Sequence, residues 1–228
     1  MKKEKLVTIE YPKSLISESY RTLRTNIQFS SFDSKVKTIV VTSSGPREGK
    51  STICANLAVV IAENGYKTIL IDCDQRMAKL HKIFNTSNEK GLSDFLIDNI
   101  QFSEAVQNTE IPNLDIITSG TKPPNPSELV ASEKMKKFIE DLKETYDYII
   151  IDTPPVIIVT DAQLISTYVD GCILVVASSQ VEKATAIKAK ELLQKVNARI
   201  LGVVLNKMDV KQKSYSRYYY SGWKKLKK

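Results

Sequence analysis

The sequence predicts an α/β fold in which helices cover both faces of a doubly wound, mostly parallel sheet. Short apolar runs rich in β-branched residues alternate with helical segments along most of the chain. Several runs are apolar on both faces, which is typical of central strands in a parallel sheet. The predicted strands are Thr38–Val41, Thr68–Ile71, Leu114–Ile117, Tyr148–Ile151, Cys172–Val176 and Ile200–Leu205.

Helices are predicted between these strands and before the first one. Ligands of a doubly wound fold bind at the carboxyl ends of its strands, so we expect the functional site there. Residues 12–30 predict an amphipathic helix with Leu15, Ile16, Tyr20, Leu23 and Ile27 on one side. The other predicted helices are Lys50–Glu63, Pro126–Glu144, Asp161–Tyr168 and Glu182–Val196.

Length and charge divide the chain into a body and a tail. The 228 residues fit one domain, which we assign to residues 1–208, followed by a flexible basic tail at 209–228. The net charge is +7, and Lys207–Lys228 alone holds eight Lys or Arg and one acid, so residues 1–206 sum to zero. A basic tail suggests a membrane surface, nucleic acid or an acidic protein as partner, or else a solvated terminus.

Composition argues against several classes of protein. No run of roughly 20 apolar residues predicts a transmembrane helix, and no apolar segment behind the basic start predicts a signal peptide. The cysteines Cys54, Cys73 and Cys172 are scattered and odd in number, which favours reduced thiols of a cytoplasmic protein. The single histidine, His81, excludes a histidine-based metal cluster.

A phosphate-binding loop follows the first predicted strand. The segment 43–52 reads SSGPREGKST, which fits the P-loop pattern G-x-x-x-x-G-K-[ST] with Ser44 in place of the first glycine. Backbone N–H groups and a helix N-terminus would hold phosphate there, while Lys50 reaches the β and γ phosphates. The expected nucleotide-binding residues of this loop are Ser44, Gly45, Glu48, Gly49, Lys50, Ser51 and Thr52.

Two other predicted strands end in carboxylates. Asp72 and Asp74 follow one apolar run, and Asp152 follows another. A hard cation prefers oxygen ligands, so these acids are candidates for a magnesium site facing the P-loop. An aspartate at a strand end can instead cap the next helix. The expected Mg²⁺ ligands are Ser51, Asp74 and Asp152.

These three segments, in this order, resemble the bacterial tyrosine kinases, or BY-kinases. The family pairs a P-loop with a hydrophobic Asp-x-Asp-x-Arg motif, matched by Asp72, Asp74 and Arg76, and a hydrophobic Asp-x-x-Pro motif, matched by Asp152 and Pro155. The resemblance runs from about residue 14 to the C-terminus. It is nearest to the stand-alone cytoplasmic kinases of capsular polysaccharide systems, and it implies ATP and Mg²⁺ as cofactors.

The resemblance also implies roles for single residues. Asp72 is the best candidate to accept the proton of an incoming tyrosine, although spacing alone leaves open which aspartate is base and which is ligand. Asn206 and Lys207, at the end of the last strand, are placed to meet the nucleotide base. The expected catalytic residues are Lys50, Asp72, Asp74 and Asp152.

Two further segments match the same family. Glu18, Arg21 and Arg24 form an E-x-x-R-x-x-R pattern, which in the family contacts the next subunit of a ring; an intrahelical Glu18–Arg21 pair is the alternative. The tail tyrosines match the family's autophosphorylation cluster, while tyrosines in a basic tail can also stack on bases or lie at a membrane interface. The expected phosphorylation sites are Tyr215, Tyr218, Tyr219 and Tyr220.

Partners and location follow from the resemblance as well. It implies trans phosphorylation in a homo-oligomeric ring, regulation of capsular or exopolysaccharide synthesis and export, a separate transmembrane activator, other tyrosine-containing protein substrates and no nucleic acid. The protein would be cytoplasmic and peripheral at the inner face of the membrane through its adaptor. Arg47, Cys73, Gln75, Met77 and Ala78 depart from the usual residues, which implies weaker or more activator-dependent activity.

Two other functions are compatible with the same motifs. Partitioning and cell-division ATPases of the MinD/ParA type share this P-loop NTPase fold, but they carry a second lysine near the start of the loop, where this chain has Ser43, Ser44 and Gly45. A non-enzymatic scaffold, in which ATP only holds a ring together, is the second alternative.

Overall fold

Seven strands form one sheet in this computed structural model, which describes residues 6–30 and 36–209. The strand order across the sheet is β3-β4-β2-β5-β1-β6-β7. All neighbours are parallel except β3 and β4, which confirms the predicted doubly wound, mostly parallel sheet. The strands are β1 (Thr38–Ser43), β2 (Thr68–Asp72), β3 (Val106–Asn108), β4 (Leu114–Ile117), β5 (Tyr148–Asp152), β6 (Gly171–Ala177) and β7 (Ile200–Asn206).

Ten helices within the described residues connect and cover the strands. None of them has the length and apolar character that crossing a membrane requires. The helices are α1 (Val7–Glu10), α2 (Leu15–Phe29), α3 (Lys50–Ala62), α4 (Leu80–Ile83), α5 (Leu92–Leu96), α6 (Phe102–Ala105), α7 (Pro126–Ala131), α8 (Glu133–Lys143), α9 (Asp161–Ser166) and α10 (Lys183–Lys195). The predicted tail lies outside the described residues from position 210 onward.

Both faces of the sheet are buried, as the apolar strands predict. Along β1, Ile39 and Val41 belong to a core with α2 and α3, while Val40 belongs to a second core with α8, α9 and α10. Because both faces of β1 pack against a core, every residue of this strand is buried. The functional site is therefore expected at the carboxyl ends of the strands, where the chain leaves the sheet between the two helical layers.

Two helix predictions were wrong in detail. The predicted helix over 126–144 divides at Ser132, whose backbone is extended and whose hydroxyl accepts the N–H of Met135, so Ser132 begins a second helix as its N-cap. In α2, Tyr20 and Ile27 are buried, but Leu15 and Ile16 are exposed. The first turn of α2 instead buries Ser17, whose hydroxyl donates to carbonyls of the preceding segment.

Strand β3 is an element that the sequence analysis missed. It is three residues long, half-exposed and antiparallel to β4, so it lacks the continuous apolar run that marks the central strands. The six predicted strands are all present. Strand β4 has the predicted bounds, and the other five are longer than predicted by one or two residues.

Candidate functional site

The P-loop connects β1 to α3 and depends on two residues with left-handed backbone. Arg47 has a φ of 61° and Gly49 a φ of 96°. Gly49 is the N-cap of α3, and a Cβ there would overlap the side-chain amide of Asn206. Glycine is therefore required at position 49 both for its backbone angle and for the space it leaves. The turn directs the N-terminus of α3, a favourable site for phosphate, toward the strand ends.

Lys50 lies between two of the predicted carboxylates. Its Nζ is 2.7 Å from Oδ2 of Asp74 and 3.5 Å from Oδ1 of Asp152, and it is 3.4 Å from the Ser51 hydroxyl. Burial disfavours the charged lysine, but Asp152 and Asp74 outweigh burial and raise the pKa of Lys50 well above its usual range. The ammonium group thus balances the buried negative charge of the site.

Strand pairing brings the third carboxylate to the same place. Asp72 at the end of β2 is the register partner of Asp152 at the end of β5, and both are fully buried. Burial and the charge of Asp152 raise the pKa of Asp72 to about 7. Burial raises the pKa of Asp152 as well, and Lys50 opposes that rise. The four predicted catalytic side chains therefore form one cluster at the C-terminal edge of the sheet.

The oxygen atoms of this cluster fit a magnesium ion. Oδ2 of Asp152 is buried and makes no hydrogen bond to any described residue. The Ser51 hydroxyl and the Asp74 carboxylate are contacts of Lys50, so they share one small region with Asp152. No group of three or more His, Cys, Asp or Glu in the described part of the chain could hold a metal ion alone. The site would therefore need phosphate and water oxygens to complete Mg²⁺ coordination.

Comparison with known proteins places this site in a family. A family model described as an AAA domain matches residues 36–207. The putative tyrosine-protein kinase CapB of Staphylococcus aureus is 44% identical over 211 residues, which cover 92% of each chain. The chain belongs to the bacterial tyrosine-protein kinase family. Its enzyme class is accordingly that of the protein-tyrosine kinases, which the P-loop and the two aspartate motifs had indicated.

Solved structures agree at the level of the fold and separate the alternatives. The crystal structure of the chimerical protein CapA2B2 is 47% identical, has a TM-score of 0.87 and covers 89% of each chain. MinD of Pyrococcus horikoshii, solved with Mg-ADP, is 25% identical with a TM-score of 0.64, and the match covers 80% of this chain and 76% of that one. The kinase family and the MinD-type ATPases thus share the predicted P-loop NTPase fold, and this kinase is more similar to the former.

Asp72 does more in this kinase than its predicted role requires. Its Oδ1 accepts the N–H of Asp74 at 3.1 Å, and its Oδ2 accepts those of Lys79 and Leu80 at 3.0 Å each. These bonds hold the loop that follows β2 and cap the start of α4. The capping alternative for a strand-end aspartate is therefore observed at Asp72, and its part in proton transfer stays a prediction.

Replacing Asp72 with asparagine should loosen this loop. One side of an amide is a donor, so it loses at least one of the three backbone N–H groups that the carboxylate now accepts. We expect amide hydrogen exchange at positions 74, 79 and 80 to rise at least tenfold. Asp94→Asn is the matched control, because the buried Asp94 also accepts backbone N–H groups, those of Gly91 and Thr121, but in a different loop. Unchanged exchange in Asp72→Asn would show that Asp72 does not anchor the loop.

Three other predicted nucleotide-binding residues hold the P-loop in shape, Glu48 from within the loop and Asn206 and Lys207 from the end of β7. The buried Glu48 carboxylate accepts the Ser44 hydroxyl at 2.5 Å, the N–H of Gly45 and, at 2.9 Å, the N–H of Ala177 at the end of β6. Asn206 donates to the Glu48 carbonyl at 2.8 Å, and Lys207 donates to the Arg47 carbonyl at 2.6 Å. Thr52 is exposed on α3. Contacts of Asn206 and Lys207 with a nucleotide base stay a prediction.

The sequence analysis assigned no role in the site to Ser127, Asp161 or Cys54, although all three contact predicted site or motif residues. The Arg76 guanidinium donates to the Ser127 hydroxyl at 2.9 Å and lies 3.3 Å from Oδ1 of the buried Asp161. Ser127 also donates to Asp161 at 2.5 Å. Cys54 lies 3.6 Å from Asp152 through its Sγ atom. Ser127 and Asp161 resemble only helix-start residues in the sequence, because their contact partners are distant in the chain.

The predicted oligomer residues contact their own chain. Arg21 is 3.1 Å from Glu18 and donates to the carbonyl of Pro12 at 2.7 Å, which is the intrahelical pair considered as the alternative. Arg24 donates to the carbonyl of Val60 on α3 at 3.2 Å. The ring interface stays a prediction. The tyrosines Tyr215, Tyr218, Tyr219 and Tyr220 lie outside the described residues.

Proposed function

We propose that this protein is an ATP-dependent tyrosine autokinase that phosphorylates the tyrosine cluster of its C-terminal tail. The observation that carries the proposal is that the carboxylates of Asp74 and Asp152 both lie within 3.5 Å of Nζ of Lys50, at the end of the P-loop. Phosphoryl transfer needs positioning and charge stabilisation more than covalent catalysis, and this cluster supplies both.

In the proposed reaction the P-loop binds the phosphates of ATP. The backbone N–H groups before α3 and the Lys50 ammonium hold the β and γ phosphates, so Lys50 exchanges its carboxylate partners for phosphate oxygens. Ser51, Asp74 and Asp152 would hold Mg²⁺, which neutralises charge on the phosphate oxygens when bound. Glu48 and Asn206 keep the loop in shape during this exchange, because their contacts are made to the loop itself.

The acceptor is a tyrosine hydroxyl placed in line with the γ phosphate. As the new bond forms between the tyrosine oxygen and the γ phosphorus, the bond from that phosphorus to the β–γ bridging oxygen breaks and ADP leaves. The tyrosine proton passes to a carboxylate of the cluster, and we propose Asp72 for this role because it lies in register with Asp152. The tail supplies the tyrosines at positions 215, 218, 219 and 220. Its basic residues favour approach to a site that contains three carboxylates.

We further propose that transfer occurs in trans within a homo-oligomeric ring and that the tail of one subunit enters the site of the next. The exposed first turn of α2, with Leu15 and Ile16 beside Glu18 and Arg21, supports a contact surface there. Named relatives of capsule systems support a role in capsular or exopolysaccharide synthesis and export. A transmembrane activator would hold the protein at the inner face of the membrane and promote its activity on this and other tyrosine substrates.

A mixing experiment tests transfer between chains. The acceptor is full-length Lys50→Met protein, and the donor is active protein whose four tail tyrosines are phenylalanine. We expect phosphotyrosine on the acceptor's tail, at a rate that rises with donor concentration. A donor that also carries Lys50→Met is the control. Labelling of wild-type protein alone, with none in the mixture, would mean that each chain phosphorylates only itself.

A further inference from the structure

Helix α10 presents an open, solvent-facing surface that no part of the proposed reaction uses, and we call this surface the α10 groove. All of the residues that line it lie on this one helix. Ile187, at its middle, is 45% exposed although it is a large apolar residue. The lining residues are Ala184, Ile187, Lys188, Glu191, Leu192 and Lys195.

The neighbouring edge strand β7 adds exposed apolar surface on the same side of the sheet. Val203 and Leu205 are 59% and 52% exposed. Their register partners in β6, Leu174 and Val176, belong to the same core as Ala189 and Leu193 of α10. Val203 and Leu205 therefore face the α10 side, where large exposed apolar residues indicate a binding surface.

The surface is also basic. Helix α10 exposes four lysines and only one glutamate, and a second exposed glutamate precedes it as the N-cap. Two of the lysines, Lys188 and Lys195, line the groove, while Lys183 and Lys190 lie on the same helix outside it. The exposed apolar residues Ile187, Val203 and Leu205 form an apolar strip with lysines beside it. Such a surface fits a ligand in which aromatic rings carry phosphate or carboxylate groups.

The tail of this chain starts within reach of the groove. Lys207, just after β7, donates to Gln180 at 3.0 Å, and Gln180 comes three residues before α10 begins. The described chain ends at Asp209. An extended chain covers about 3.3–3.6 Å per residue, so the tyrosines at 215–220 reach roughly 20 to 40 Å from there. A helix of 13 residues is about 20 Å long, so the tail can follow α10 along its length.

Charge decides which form of the tail fits. Residues 210–228 hold seven Lys or Arg and no acid, so the unmodified tail is repelled by the lysines of α10. Each phosphotyrosine adds about −1.5 to −2 at neutral pH, and four of them reverse the sign of the segment around residues 215–220. The phosphates then pair with lysines, and the aromatic rings cover the apolar strip.

We propose that the α10 groove is a phosphotyrosine-binding site that holds the phosphorylated tail of the same chain. This rests on the proposed tail phosphorylation. The unmodified tail stays free to enter an active site, and the phosphorylated tail is retained on α10 and kept away from it. The groove thus separates product from acceptor without any change in the catalytic residues.

A peptide-binding experiment tests this site independently of kinase activity. The protein is the full chain with phenylalanine at the four tail tyrosines, and the probe is a synthetic, fluorescent peptide of residues 210–228 with four phosphotyrosines. We expect binding at physiological salt, and at least tenfold weaker binding of the unphosphorylated peptide. Lys188→Glu with Lys195→Glu should weaken phosphopeptide binding more than tenfold. The matched control, Lys183→Glu with Lys190→Glu, has the same charge change and should alter it less than threefold.

Three results would contradict the proposed phosphotyrosine site. The phosphopeptide could fail to bind, or both peptides could bind equally well. Equal losses of phosphopeptide affinity in the two lysine variants would mean that the peptide is attracted by the overall charge of the helix and not by the groove. Binding to vesicles that contain phosphatidylserine is measured with the same variants. If Lys188→Glu with Lys195→Glu weakens vesicle binding but leaves phosphopeptide binding unchanged, the groove is a lipid site. If the peptide binds as expected but the wild-type tail never becomes phosphorylated, the proposed function fails while the groove stands.

Discussion

Replacing Lys50 with methionine should abolish tyrosine phosphorylation and also destabilise the nucleotide-free protein. Lys50 contributes charge to the phosphates, and removing one preorganised electrostatic contact of this kind costs about 10²- to 10³-fold in rate. The motif by itself predicts an intact fold, because it assigns Lys50 only a phosphate contact. The structure adds that Lys50 is buried against Asp74 and Asp152, so methionine leaves both carboxylates without their cation.

The size of the stability loss follows from breaking a buried ion pair. Removing one partner of such a pair costs about 3–5 kcal/mol. Chemical denaturation of wild type, Lys50→Met and the exposed-site control Lys190→Met would measure it. If Lys50→Met were as stable as the wild type, Lys50 would not balance the charge of the buried carboxylates. If the variant labelled its tail at the wild-type rate, Lys50 would not contact the phosphates.

The second large effect concerns assembly. Replacing Glu18, Arg21 and Arg24 with alanine should give monomers that autophosphorylate poorly, if these residues contact the next subunit. Because Arg24 also donates to Val60 within the chain, its loss could loosen α2 on its own. The double variant that keeps Arg24 is therefore the sharper test, and light scattering measures its mass. If the double variant assembles like the wild type, Glu18 and Arg21 are not part of the subunit interface.

The converse variant should lock the assembled form. With phenylalanine at all four tail tyrosines, no phosphate is added, and the tail keeps its basic charge in the presence of ATP. Phosphorylation of the wild-type tail would add about −6 to −8 in total, so the tail should leave a site that already holds phosphate. We expect the phenylalanine protein to remain a ring with ATP and Mg²⁺ while wild type dissociates. Equal dissociation of both would mean that tail charge is not the switch.

The sequence predicted the elements whose signals are local. The buried strands, the turn at Gly49 and the aspartates at strand ends each follow from a short run of residues, and the structure contains all of them. Ser132 shows the limit of this reasoning, because the pattern over 126–144 is helical throughout and one serine cap divides it. Helix amphipathicity likewise did not show that Leu15 and Ile16 stay exposed.

The contacts within the site could not be predicted, because they join distant segments. Lys50 meets Asp74 and Asp152 only through the register of β2 and β5 beside β1, which no local pattern fixes. Asp161, the first residue of α9, lies 85 residues from Arg76 in sequence and pairs with it. Asp72 was predicted by its motif, yet its three bonds to backbone N–H groups depend on the path of the loop after β2.

Mass spectrometry of the purified full-length protein after incubation with ATP and Mg²⁺ tests the central claim most directly. Lys50→Met, treated in the same way, is the control for contaminating kinases. We expect phosphotyrosine at Tyr215, Tyr218, Tyr219 and Tyr220 in the wild type and none in Lys50→Met. Phosphate release from ATP with an unmodified tail would instead identify an ATPase, and neither release nor modification would leave a nucleotide-binding scaffold; either result would contradict the autokinase.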